Sequence, residues 1–194
     1  MAHFVFPNEL LHNPYSCLRR AILAPTHKQV DKYNNMILHW LHGDSWTYLA
    51  ADSIKEADEC SLSSPSACLN YIAWQTPTGI PSHRLLIKIG GIYRLLRNFS
   101  ISKGLVKNIC VVVTQLGTRL ITVRIIQDNS LSQQMDEEIL LPRITFTHIL
   151  HSSHTLCHRQ FPLMPAYCTM FNSCQGLNLD AVAIDLTRPI FSHG

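Results

Sequence analysis

The chain has no apolar run near the roughly 18 residues a membrane helix needs. Its longest runs, such as Ile109 to Val113, are the length of a strand. Charge is also scarce, at 15% of the 194 residues, while 46% are apolar. That balance excludes a disordered tail and is enough for one ordinary domain or two small ones. Met1 to Leu10 contains Asn8 and Glu9 and no basic segment leading into an apolar one, so no secretory signal is predicted. The seven cysteines are odd in number and include no C-x-x-C pair, which excludes a regular disulfide framework and points to a soluble, intracellular chain. Several catalytic signatures are missing too. There is no G-x-x-x-x-G-K-[ST] loop, no acidic pair after an apolar strand to hold magnesium, no G-x-S-x-G elbow and no H-E-x-x-H helix. The chain alone is therefore not expected to hydrolyse a nucleoside triphosphate, and no catalytic residue is assigned.

What charge there is lies unevenly. From Cys60 to Gln127 there are eight basic residues (Arg84, Lys88, Arg94, Arg97, Lys103, Lys107, Arg119 and Arg124) and no Asp or Glu. The rest of the chain carries the other eight basic residues and all thirteen acidic ones, a balance of −5. An acid-free stretch beside an acidic remainder builds a field suited to a polyanion, and a phosphate backbone is the commonest such partner.

Along the chain, Ala21 to Ala24 reads as a buried strand closed by Pro25. Thr26 can cap a helix with Val30, Tyr33, Ile37 and Trp40 at helical spacing and Gly43 at its end. Thr47 to Ala50 reads as a second strand, and the Ser-rich residues 55–70 as a surface connection. Leu69 to Trp74 fits a helical turn or a strand. Leu85 to Ile89 and Ile92 to Leu96 flank a Gly90-Gly91 break. Cys110 to Gln115 and Arg119 to Ile126 are β-branched runs joined by Leu116-Gly117-Thr118, a hairpin pattern. With Ile139 to Leu141 and Ile144 to Phe146 around Pro142, these strands predict a small antiparallel barrel. Ala181 to Leu186 reads as a buried strand in the same sheet as Ala21 to Leu23, so the chain leaves an α/β layer, builds a barrel and returns.

His148, His151, His154, Cys157 and His158 form one dense run of potential metal ligands. Placed on a helix, His151, His154 and His158 would share a face. The run lacks the second ligand pair that closes a tetrahedral site. It also contains Ser152, Ser153 and Thr155 and no capping pattern, so it is read as a polar loop and no metal site is assigned.

Several blocks, in order, resemble the C-terminal part of the petite-integration-frequency (Pif) DNA helicases, especially their Helitron-like branch. They are Ala21 to Thr26 with Val30, Asp31 and Asn34; Leu49 to Ser53; Gly79 to Leu85; Lys88 to Gly90; Leu95 to Asn98; Lys103 to Leu105; Leu141 to Ile144; Arg159 to Pro162; Asn172 with Gln175 and Gly176, which match a K-S-Q-G motif; and Asp185-Leu186, Arg188-Pro189 and Phe191 to Gly194.

The resemblance implies an α/β fold in which part of a second RecA-like domain is interrupted by a small SH3-like antiparallel barrel. The implied division is 1–78 for the opening part, 79–147 for the barrel and 148–194 for the return. It further implies five-prime to three-prime DNA unwinding with ATP and magnesium in the complete enzyme, single-stranded DNA and an N-terminal RecA-like domain as partners, and a nuclear or mitochondrial location. Arg97, Asn98, Lys103 and Arg143 would contact DNA, and Asn172, Gln175 and Gly176 would lie where nucleotide and DNA sites meet.

Departures accompany the match. Ser173 and Cys174 stand where the family has Lys and Ser, and Leu177-Asn178 replaces a Gln-Thr pair. Val106 to Cys110 lacks the glycine of the family's C-N-G-T-R, so the turn there is expected to be lost. Ending at Gly194, before the family's arginine motif, the chain reads as an incomplete or decayed copy. The alternative function is a catalytically dead nucleic-acid-binding module or a transposon relic.

Overall fold

The computed structural model describes residues 1–55, 79–127, 137–149 and 155–188. The readings of residues 56–70 and of Leu69 to Trp74 lie outside them. The chain opens with three single-turn helices, α1 (Ala2–Val5), α2 (Asn8–Leu11) and α3 (Pro14–Cys17). Four residues are too few to show a period, and tertiary contacts hold these turns in place. Val5, Phe6, Leu11 and Cys17 are buried, Phe6 meets Tyr167 edge to face at 5.4 Å, and Arg20 donates to the carbonyls of Ser16 and Val5 at 3.1 and 3.0 Å.

Next come β1 (Arg20–Ala24) and α4 (His27–Trp40), as the apolar spacing predicts. The Thr26 hydroxyl caps α4, accepting the Gln29 N–H at 3.3 Å, and Gly43 follows in the left-handed region at φ +112°. The strands continue as β2 (Ser45–Leu49), β3 (Ala51–Lys55), β4 (Arg84–Lys88), β5 (Ile92–Leu95), β6 (Cys110–Gln115), β7 (Leu120–Ile125), β8 (Glu138–Pro142), β9 (Ile144–Ile149), β10 (Thr155–Gln160), β11 (Leu163–Pro165), β12 (Cys168–Met170) and β13 (Ala181–Ile184).

β1 pairs in parallel with β12 on one side and β13 on the other, and α4 lies against β1 and β12. An antiparallel sheet runs β11-β5-β6-β7-β8, a second runs β3-β10-β9, and β2 pairs with β4. Ile22, Ile37 and Leu38 of the parallel layer share one core with Tyr93, Leu95, Val111, Val113, Ile121 and Val123 of the five-stranded sheet. Ile80, Leu96 and Phe146 form a smaller second core.

Two expectations are corrected. No closed barrel forms among the described residues: β8 and β11 are the two edges of the five-stranded sheet. Instead of closing onto β11, the chain passes from β8 through Arg143 into β9, which pairs with β10. The last strand is also not buried throughout. Ala183 is buried, but Val182, Ile184 and Leu186 are exposed, because the described residues cover β13 on one face only, and a parallel strand is apolar on both faces only when both are covered.

Candidate nucleic-acid interface and coupling turn

Arg97, Asn98 and Lys103 lie in residues 96–109, which join β5 to β6. Backbone bonds give this connection a fixed shape. Leu105 N–H donates to the Ser100 carbonyl at 2.8 Å and Ser100 N–H returns a bond at 3.2 Å. The Asn98 side chain braces the loop from within, accepting the Lys107 N–H at 2.7 Å. Asn108 adopts φ +72°, and its N–H donates to the Leu95 carbonyl at 2.7 Å. The turn expected to be lost with the family's glycine is therefore present, because asparagine is the side chain that best tolerates the left-handed region.

The loop presents cations beside apolar side chains. Arg97, Lys103 and Lys107 are exposed, Phe99 is 39% exposed and Ile101 74%. An exposed aromatic among cations suits a single strand, whose bases stack while its phosphates pair with the charges. The sequence reading missed Phe99 and Ile101, since neither breaks a pattern in the chain. The Arg97 guanidinium sits 5.5 Å from the centroid of Phe146, which belongs to the second core. Arg143, between β8 and β9, is held more tightly. It donates to the Leu49 carbonyl at 2.7 Å and lies 5.5 and 5.2 Å from the ring centroids of Tyr48 and Phe161. One guanidinium edge thus anchors β2, while other donors remain in its five-donor fork.

The acid-free stretch of sequence does not make an acid-free surface. Glu137, the residue before β8, pairs with Lys103, and Glu138 at the start of β8 comes within 3.8 Å of Arg124. Arg94 faces inward, donating to the Thr169 hydroxyl at 3.3 Å, and burial lowers its guanidinium pKa below the ordinary value. These contacts pair sites more than ten residues apart, which charge counting along a window cannot register.

Asn172, Gln175 and Gly176 are placed on a different sheet. β1, β12 and β13 run parallel, so their carboxyl ends share one edge, the edge at which open α/β sheets bind ligands. At that edge β12 runs into a 3-10 turn, Phe171–Ser173. The Cys174 thiol donates to the Phe171 carbonyl at 2.9 Å, Leu177 N–H bonds the Cys174 carbonyl at 3.1 Å, and Gly176 takes φ +80°. Asn172, Gln175 and Gly176 are exposed on this turn.

After β13, on the other side of β1 from β12, the Asp185 carboxylate accepts from Gln29 at 2.9 Å, Tyr33 at 3.1 Å and the Thr187 N–H at 2.9 Å. Hydrogen bonding by Thr187, the largest influence, and by Tyr33 and Gln29 holds its pKa below the usual carboxylate value. The sheet carrying the coupling turn is tied to the sheet carrying the loop by the Arg94–Thr169 bond and by the Tyr167 hydroxyl, which accepts the Ile92 N–H at 3.0 Å.

Within the histidine run, His148 lies exposed on β9 and Cys157 and His158 are buried on β10, while His151 and His154 lie outside the described residues. His158 is therefore on a strand and not on a helix, as pairing with both β3 and β9 requires. Its partners are far away in sequence. Asp52 on β3 takes His158 Nδ1 at 2.6 Å on one carboxylate oxygen and His83 Nδ1 at 2.7 Å on the other. The ligand atoms of these three residues lie within 4.8 Å of one another.

No protein-family model matches the chain, and no curated protein matches it. Solved structures do. The Pif1 helicase of Candida albicans superposes with a TM-score of 0.61 at 16% identity, over 94% of this chain and 44% of that one. Bacteroides Pif1 bound to single-stranded DNA gives 0.57 at 20% identity, over 87% and 34%. Bacteroides Pif1 in complex with ADP-AlF4 gives 0.53 at 19%, over 96% and 38%. The chain thus has the fold of part of a Pif1 helicase and spans well under half the length of these proteins.

Proposed function

We propose that this chain is a C-terminal portion of a Pif-type ATP-dependent DNA helicase and that its task is to hold single-stranded DNA. The observation that carries the reading is the shared fold along most of the chain with Pif1 helicases, one of them bound to single-stranded DNA. In this reading the parallel layer is part of the second RecA-like domain and strands β5 to β8 of the open sheet are the counterpart of the SH3-like insert, in the division 1–78, 79–147 and 148–194, with β11 of the returning part completing that sheet. Arg97, Lys103 and Arg143 contact the phosphate backbone, Asn98 keeps the loop in shape, and Phe99 offers a stacking surface. Asn172, Gln175 and Gly176 face the partner RecA-like domain. Five-prime to three-prime unwinding, a Helitron-like origin, and work in repair, recombination or transposition in the nucleus or mitochondrion belong to the same proposal.

ATP and magnesium are cofactors of the complete enzyme in this reading, and the described residues of this chain do not by themselves supply a site for them. The sequence has no phosphate-cradling loop, the Asp185 carboxylate is taken up by Gln29, Tyr33 and Thr187, and Ser173 supplies no ammonium for a phosphate. At most the coupling turn forms one wall.

Fluorescence anisotropy with a labelled single-stranded oligonucleotide tests the proposal. The logarithm of the binding constant should fall linearly with log salt, with a slope of about −0.7 per neutralised phosphate, and adding ATP to this chain should change nothing. Absence of binding at low salt would refute the DNA-holding role.

A further inference from the structure

We propose that Asp52, His83 and His158 form a binding site for a divalent transition-metal ion of the zinc type, with the two imidazole Nδ1 atoms and the Asp52 carboxylate as its ligands. The site lies apart from the coupling turn, and nothing in it depends on the helicase reading. Three separate elements supply it: β3, the segment before β4, and β10.

The side chains of Asp52 and His158 are only 8% and 5% exposed, so a negative charge is held inside the fold. Among the described residues no Lys or Arg pairs with that carboxylate; its partners are the two imidazoles. A dication seated among the three groups would balance the carboxylate, which has no Lys or Arg beside it among the described residues. Two nitrogens and a carboxylate suit zinc, cobalt or nickel and not calcium or magnesium, which take oxygen ligands.

The geometry needs a small adjustment. At 2.6 and 2.7 Å the contacts are proton-bridged. Ligand bonds of about 2.0–2.2 Å in a tetrahedron set neighbouring ligands roughly 3.3–3.6 Å apart, so each imidazole must retreat by about 0.6–1 Å. His83 stands outside any strand with its side chain 31% exposed. That position gives the ring room to move, gives the ion a path in, and leaves a side open for water as a fourth ligand. The rings of His158 and Phe146 meet edge to face with centroids 6.4 Å apart, and the Arg97 guanidinium lies over the Phe146 ring at 5.5 Å, so a bound ion would stiffen the support beneath a loop cation.

Equilibrium dialysis of the 194-residue chain, purified without metal, against micromolar zinc is the first test, with metal content read by mass spectrometry. One ion per chain is expected. Asp52→Asn and His158→Gln should each weaken binding by at least about tenfold, the loss already seen when outer supports of a metal site are removed, while His148→Gln on β9 should bind as the parent does. The cobalt-loaded parent should show ligand-field bands without thiolate charge-transfer absorption, a readout that holds even where a variant fails to fold. No binding by the parent, unchanged binding in Asp52→Asn, or a thiolate band would each overturn the assignment.

Discussion

Replacing Asn34 with leucine tests what holds the coupling turn to the rest of the molecule. Asn34 is buried on α4. Its Oδ1 accepts the N–H groups of Tyr167 at 3.2 Å and Cys168 at 2.8 Å, and its Nδ2 donates to the Cys168 carbonyl at 3.3 Å. Leucine has the same branched skeleton with bulkier ends, so the change removes the hydrogen bonds without opening a cavity. Two backbone N–H groups and one carbonyl would lose a partner just before or within β12. Each unsatisfied buried group costs about 1–3 kcal/mol. Two of the three bonds are long, which places each near the bottom of that range, and the total is about 3 kcal/mol. Against a domain stability of roughly 5–15 kcal/mol that is a large fraction. Urea unfolding followed by circular dichroism should show a lower midpoint with an unchanged slope. A loss under about 1 kcal/mol would refute the claim that these bonds fix β12 to α4.

The loop cations give a second expectation. Arg97→Ala should reduce the salt slope of single-strand binding by about 0.7, and Lys103→Ala by less, because Glu137 already competes for the ammonium; anisotropy titrations in rising salt measure both. At the left-handed position Asn108, glycine should be neutral or stabilising, whereas valine should cost about 1–2 kcal/mol, read from thermal unfolding. For Asp185, the hydrogen bonds lower the folded-state pKa, so the stabilisation is present above the unfolded value of about 3.9 and fades as pH falls through the folded value. The urea midpoint should therefore drop below about pH 4 in the parent and depend less on acid in Asp185→Asn.

Local patterning made β1, α4 and β13 of the parallel layer readable in advance, but not β12, whose three residues carry no period. Ala21 to Ala24 and the α4 stripe of Val30 and Ile37 follow local rules, and Thr26 and Gly43 mark the helix ends. The β6–β7 hairpin announced itself through β-branched runs around Leu116-Gly117-Thr118. Other elements depend on contacts distant in sequence. α1 to α3 are single turns stabilised by Phe6 on Tyr167 and Arg20 on Val5, and β11 is three residues whose role is set by pairing with β5. His158 looked like part of a local run of histidines, yet its partners Asp52 and His83 lie 106 and 75 residues away, beyond the reach of any spacing rule. Openness of the five-stranded sheet was equally hidden, since strand count alone does not say whether two edges meet.

The two proposed contact regions are linked by a short covalent and hydrogen-bonded path. The 96–109 loop begins directly after β5 and the 171–177 turn directly after β12. Tyr167 bridges these strands: it precedes β12, its carbonyl accepts the Ile22 N–H of β1 at 2.9 Å, and its hydroxyl accepts the Ile92 N–H of β5 at 3.0 Å. Burial, the largest influence, raises the phenol pKa well above its ordinary value, so the hydroxyl stays neutral and can keep that bond throughout the working pH range. Tyr167→Phe preserves the ring, including its edge contact with Phe6, and leaves one buried N–H unpaired, a cost of about 1–3 kcal/mol. If the hydroxyl is a local tie, amide exchange should speed up at Ile92 while Val123, in the centre of β7, keeps the protection set by global unfolding. Exchange that rises by the same free energy at both amides would show only general destabilisation, and the path from loop to turn would have to run elsewhere.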